Sequence, residues 1–214
     1  MSVVTTRYQG DWMGETELLT ELESPEEFSW PISKINVILI SGKAGVGKTT
    51  LAMALKSHLR SKFPLVVKGS FADGVKSAAR NCFYWNGVKD SKGRSLLQGI
   101  GNLGRKFKED LWVVDLIEKI MSYSGHLPPD VLIVDDWRFP NESEYFIRYP
   151  DEFKLITVRI ISPEREILKG TEEYFDESEV SLDNYPVDIV LLNPSSMLLG
   201  EFTHTGIEEI TKFI

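Results

Sequence analysis

Ile35-Asn36-Val37-Ile38-Leu39-Ile40-Ser41-Gly42-Lys43-Ala44-Gly45-Val46-Gly47-Lys48-Thr49-Thr50-Leu51 holds three signals in a row: an apolar run, a glycine loop and the opening of a helix. The run Ile35–Ile40 is short and rich in β-branched residues, as in a strand buried on both faces. From Lys48 to about Lys62, Leu51, Leu55 and Leu59 recur every four residues, which is helical spacing, and Pro64 follows where a helix has ended. A strand, a glycine turn and a helix in that order begin a βαβ unit.

Between strand and helix, Gly42–Thr49 matches GxxxxGK[ST] in full. Backbone N–H groups that all turn inward around a phosphate need conformations that glycine adopts without steric cost. The helix N-terminus adds partial positive charge. A chance match in a chain of this length is roughly a one-in-a-hundred event. Gly42, Lys43, Ala44, Gly45, Val46, Gly47, Lys48, Thr49 and Thr50 are therefore expected to hold the phosphates of a nucleoside triphosphate, most simply ATP. Lys48 is expected at the β- and γ-phosphates and the Thr49 hydroxyl on Mg²⁺.

Downstream the chain keeps alternating. Strands are expected at Leu65–Val67, Val131–Val134, Leu155–Ile161 and Val187–Leu192. Helices are expected at Ala72–Tyr84, Ser95–Phe107, Asp110–Tyr123, after Pro140 and at Ile207–Ile214, with a polar loop at Asn86–Arg94. Gly99, Gly101 and Gly104 weaken the second of these helices. The fold class that follows is α/β: a P-loop NTPase, nucleoside monophosphate kinase-like, with a three-layer α/β/α build and a five-stranded parallel sheet. Residues 1–33 differ: acidic at Glu15–Glu27, interrupted by Pro25 and Pro31, and partly helical around Thr16–Leu22. They read as an N-terminal extension to a P-loop kinase domain at 34–214.

Val131-Leu132-Ile133-Val134 ends in Asp135-Asp136. In P-loop enzymes such a strand end holds Mg²⁺, directly or through water. Neighbouring strand residues face opposite sides, so the two carboxylates have different jobs. Arg138, two residues on, adds a guanidinium fork beside them, suited to an acceptor that carries a phosphate. A monophosphate acceptor brings about two negative charges into a dry cleft and needs fixed cations there. Arg80, Arg94, Arg105 and Arg138 are the candidates, with Phe71, Phe83, Trp85 and Trp112 as aromatic faces and Gln98 as an edge for a base. Arg94 and Gln98 lie four apart, on one helical face.

Three further stretches carry a resemblance: Phe71-Ala72-Asp73-Gly74-Val75-Lys76, Gly93-Arg94-Ser95-Leu96-Leu97-Gln98-Gly99-Ile100-Gly101 running on to Trp112, and Asp135-Asp136-Trp137-Arg138-Phe139-Pro140-Asn141-Glu142. Together with the phosphate loop they resemble the phage-type deoxynucleoside monophosphate kinase family. A fainter echo runs from Glu177-Ser178-Glu179 to Asn193. Gly74-Val75 stands where the family has Pro-Leu, and Asp176 where it has His. The resemblance implies transfer of the ATP γ-phosphate to a deoxynucleoside 5′-monophosphate. It implies a helical acceptor-binding insertion at about 70–125 and a lid after the fourth strand, at about 162–184. By matching position, Lys76, Arg94, Gln98 and Trp112 would line the acceptor side, with Asp136 and Arg138 at its phosphate or sugar. Lys48, Asp136 and Arg138 are the expected catalytic set; Thr49, Asp135 and Asp136 the expected Mg²⁺ set; Arg165 and Lys169 the lid cations.

The totals restrict the alternatives. Net charge is −8, which argues against holding long nucleic acid through a basic face. A related kinase acting on a hydroxymethylpyrimidine in DNA or on phosphomevalonate stays open, as does a nucleotide-dependent switch. The lone cysteine, Cys82, forms no internal disulfide, which is compatible with a reducing cytoplasm. The first residues lack a basic segment followed by an apolar core, and no apolar run is long enough to span a bilayer, so neither secretion nor a membrane partner is expected. A cytoplasmic location is expected, the host's if the chain is viral. A homodimer is compatible with the extension at 1–33.

Overall fold

A computed structural model describes residues 34–125, 127–168 and 170–214. The extension at 1–33, its helix around Thr16–Leu22, and Lys169 lie outside the described residues. Five strands, β1 Ile35–Ser41, β2 Val66–Gly69, β3 Val131–Val134, β4 Phe153–Ile161 and β5 Ile189–Leu192, form one sheet in the order β2-β3-β1-β4-β5. Every pairing is parallel. The helices are α1 Lys48–Leu59, α2 Ala72–Phe83, α3 Ser91–Phe107, α4 Leu111–Tyr123, α5 Pro140–Arg148, α6 Glu177–Val180 and α7 Leu199–Thr211.

Alternation along the strands divides the core in two. Ile38 and Ile40 of β1 and Val131 and Ile133 of β3 pack with Leu51, Leu55 and Leu59 of α1 and Phe202 and Ile210 of α7. Val37, Leu39, Leu132 and Val134 point the other way, onto Trp112, Val113 and Leu116 of α4 and Phe146 of α5. This is the three-layer α/β/α build expected from strands apolar on both faces. Each of the three α1 leucines is fully buried, worth about 2 kcal/mol apiece. No described helix is long and apolar enough to cross a membrane.

Two helices depart from the sequence expectation. The polar loop expected over Asn86–Arg94 gives way at Ser91 to α3, because the Asp90 carboxylate accepts the Gly93 N–H at 2.7 Å and caps the helix. The glycines that weakened α3 make room for an indole: Trp112 packs against Gly104 and donates its Nε1–H to the Gly101 carbonyl at 3.0 Å. The closing helix starts at Leu199 rather than Ile207. Gly200 and Gly206 break its apolar period, and a Cβ on Gly206 would fall 2.5 Å from a Leu51 methyl, so glycine sets the approach of α7 to α1.

Candidate active site

The phosphate loop joins β1 to α1. Gly42, Gly45 and Gly47 adopt φ of 139°, 90° and 106°, in the region that favours glycine. The loop is buttressed from outside. Ile167 N–H donates to the Ala44 carbonyl at 3.1 Å, and Asn193 Nδ2 donates to the Val46 carbonyl at 2.8 Å. Lys48 Nζ donates to the carbonyls of Gly42 (2.6 Å) and Lys43 (2.8 Å). Burial, and then the neighbouring Arg138 guanidinium, lower its pKa to about 8. Thr49 and Thr50 are exposed on the first turn of α1.

Beside the loop lies a cavity of about 660 Å³, walled by the C-terminal ends of β2 and β3 and by α2, α3 and α4. Ligands in open α/β sheets bind outside the carboxyl ends of the strands. Lys48 and Thr49 are on its wall, with Phe71, Lys76, Gln98, Arg105, Trp112, Asp135, Asp136 and Arg138. Arg105 stacks on the Phe139 ring with its guanidinium carbon 3.8 Å from the centroid. Trp112 is 8 % exposed and serves core and cavity together.

Other expected residues are placed elsewhere. Arg94 is not among the residues lining this cavity; its Nε donates to the Lys89 carbonyl at 3.2 Å. Arg80, Phe83 and Trp85 also stand apart from it, Arg80 lying 5.5 Å over the Trp85 ring. Arg165 turns its guanidinium to the carbonyls of Pro194, Ser195 and Met197, in the turn after β5. Gln98 donates to Asp176 Oδ2 at 2.8 Å and so ties α3 to the start of α6.

The two strand-end carboxylates separate as alternation requires. Asp136, on the Leu132/Val134 side, accepts from Ser70 Oγ (2.7 Å), Phe71 N–H (3.0 Å) and Ala72 N–H (2.9 Å). It pins the turn that opens α2. Burial raises its pKa against these three bonds. Asp136, expected as a metal ligand, thus has one hydrogen bond on Oδ1 and two on Oδ2. Asp135 meets the Lys68 ammonium at 2.6 Å through Oδ1.

Several residues here had no expected role. Glu142, at the third position of α5, accepts the N–H groups of Arg138 (2.8 Å) and Phe139 (3.1 Å) through Oε2. Its signal was the spacing of a helix cap after Arg138-Phe139-Pro140. Burial pushes its pKa from 4.5 up to about 8. Above pH 4.5 an unfolded chain ionises this carboxyl while the fold holds its proton, so stability falls as pH rises toward 8 and levels off beyond. Glu142→Gln keeps an acceptor for both N–H groups and removes the titration. The variant is expected to gain on the wild type by a few kcal/mol between pH 5 and pH 8. Denaturant unfolding at both pH values measures this, and a gap that stays flat across them would refute it.

Glu179 lies on the phosphate-loop side of Arg138. Its carboxylate, 7 % exposed, accepts the Ala44 N–H of the phosphate loop at 3.1 Å and pairs with Arg138 Nη1 at 2.5 Å. Lys43 reaches over to the Glu179 carbonyl (2.6 Å) and to Asp183 (2.7 Å). A second cavity, of about 230 Å³, opens between these residues, Gly42 and Arg159.

No known family model matches the sequence. Over 131 residues, 61 % of this chain, it is 33 % identical to the uncharacterized protein ORF77 of Ictalurid herpesvirus 1 (strain Auburn), and the match spans 54 % of that relative's length. The fold is similar to a gluconokinase from Sinorhizobium meliloti 1021 (TM-score 0.43, 11 % identity, 84 % of this chain and 94 % of that one). It is also similar to the shikimate kinase of Aquifex aeolicus vf5 (0.42, 14 %, 83 % and 97 %). The APS kinase CysC Cys556Ala mutant of Mycobacterium tuberculosis is a further likeness (0.39, 12 %, 84 % and 99 %).

Proposed function

We propose that this chain is an ATP-dependent kinase that phosphorylates a nucleoside 5′-monophosphate, a deoxynucleotide by its resemblance. The observation that carries the reading is the cavity of about 660 Å³, with the phosphate loop on one wall and Lys76, Arg105 and Arg138 among aromatic faces on the others. A phosphate donor and a phosphorylated acceptor need such a shared, cation-lined space. The segment at about 70–125 is assigned to the acceptor, and part of 162–184 to a lid.

Lys48 meets the donor's terminal phosphates. Arg138, with Arg105 and Lys76, meets the acceptor's phosphate. One acceptor oxygen forms the new bond to the γ-phosphorus while the bond to the β–γ bridging oxygen breaks. The attacking acceptor oxygen is already anionic near neutral pH, so no strong base is assigned. Thr49 and Asp135 are the residues that suit Mg²⁺, since both line the cavity beside the phosphate loop. When bound, Mg²⁺ neutralises developing phosphate charge. Asp136 is assigned instead to positioning the Ser70–Ala72 turn. The aromatic faces Phe71, Trp112 and Phe139 suit a base, and Gln98 its edge.

The test is ADP release from ATP and Mg²⁺ with each deoxy- and ribonucleoside monophosphate in turn. ADP is expected with one or a few of them. Release no higher than the ATP-only blank with every monophosphate would overturn the acceptor assignment, and hydroxymethylated DNA and phosphomevalonate would be tried next.

A further inference from the structure

Phosphate loops present inward N–H groups to an anion, and in this chain the anion at Ala44 is part of the protein. Glu179 is nine-tenths buried, and its two oxygens divide between the loop and Arg138. A buried carboxylate needs such partners, and a carboxylate sharing an N–H and a guanidinium is bonded as a phosphate oxygen pair would be. We propose that Glu179 is a positioning residue that stands in for phosphate: without nucleotide it occupies the loop and restrains Arg138, and an arriving triphosphate takes over the Ala44 N–H and so releases Arg138.

The consequence reaches the acceptor side through α6. Asp176 caps α6 by accepting the Ser178 N–H at 2.9 Å and also accepts from Gln98. Asp176, Glu177 and Ser178 line the larger cavity; Glu179 and Asp183 line the smaller one. Displacing Glu179 therefore frees Arg138 for the acceptor and shifts the short helix that touches both compartments. Donor binding so prepares the acceptor site.

The proposal rests only on the phosphate-loop half of the function proposed above, so its test uses no acceptor and reads no turnover. Calorimetric titration with inorganic tripolyphosphate is made on the wild type, Glu179→Gln and Glu179→Asp. Gln removes the competing charge, and Asp is one methylene too short to bridge Ala44 and Arg138. Both variants are expected to bind about tenfold more tightly than the wild type, the scale of one lost charge-assisted contact. Equal or weaker binding by folded variants overturns the proposal. Hydrogen exchange on the wild type gives an independent reading should a variant fail to fold. Tripolyphosphate is expected to raise protection at 42–49 and lower it at 176–183; unchanged protection at 176–183 overturns the proposal. No binding by any of the three proteins overturns both this proposal and the phosphate-loop reading. Tripolyphosphate binding with no monophosphate-dependent ADP release leaves this one standing and removes only the acceptor assignment.

Discussion

Lys48→Ala is expected to lower turnover by about 10³-fold, the loss seen when a preorganised donor to developing charge is removed from a water-poor site. The ammonium is held inside the loop by the Gly42 and Lys43 carbonyls, so it meets phosphate without being reorganised. Its burial also separates lost chemistry from a lost fold. A lysine whose pKa falls to about 8 is a charge the fold disfavours, and removing it costs little stability. The variant should therefore melt at or above the wild-type temperature while being nearly inactive. Lys48→Arg is also expected to fail, because a planar fork cannot take the place of a compact point donor inside the loop. Steady-state turnover beside a thermal melt decides the matter. Activity within tenfold of wild type would remove Lys48 from its assigned role.

Arg138→Ala should carry two separable costs. The first is structural: Glu179 stays buried and loses its guanidinium, which costs on the order of 3 kcal/mol. The second is functional: with no fork at the acceptor phosphate, kcat/KM for the monophosphate should fall by about 10²–10³-fold. The double variant Arg138→Ala, Glu179→Gln distinguishes them. Taking the stranded charge away should restore most of the unfolding midpoint but none of the turnover. Should the double variant recover activity together with stability, Arg138 would be a structural partner of Glu179 and no more.

Much of this was legible in the sequence, for reasons that differ by element. The β1–loop–α1 unit could be read because its glycine positions, its lysine and its leucine period each answer a separate physical demand. The split between Asp135 and Asp136 was legible as a difference in role, since alternation forces it; which job each held was not. That depended on Ser70, Phe71 and Ala72, some 65 residues away, whose N–H and O–H groups converge on Asp136. Glu179 was visible as part of a motif but its role was hidden, because its partners Ala44 and Arg138 come from two other strand ends. Arg165 was expected only as a lid cation, because a charge in a charged segment gives no direction; the carbonyls that hold it lie about 30 residues on. The glycines of α3 lowered its helical signal while serving Trp112, a case where packing overrides propensity.

The anchoring of Ile167 to the phosphate loop and of Arg165 to the turn after β5 has a mechanical meaning. A Cβ added at Gly45 would meet the Arg165 carbonyl at 2.5 Å, so residues 165–167 are seated against the loop as a fixed shoulder. Any swing of the charged segment must then pivot beyond that shoulder. Gly170, at φ +88° with open space around it, is the joint the backbone offers. The other pivot is near Tyr185, whose ring packs edge-on to Trp137 at 5.7 Å between centroids. The lid proposed above is thus narrowed to a flap of about fifteen residues carrying α6, hinged beyond the shoulder that seats the phosphate loop.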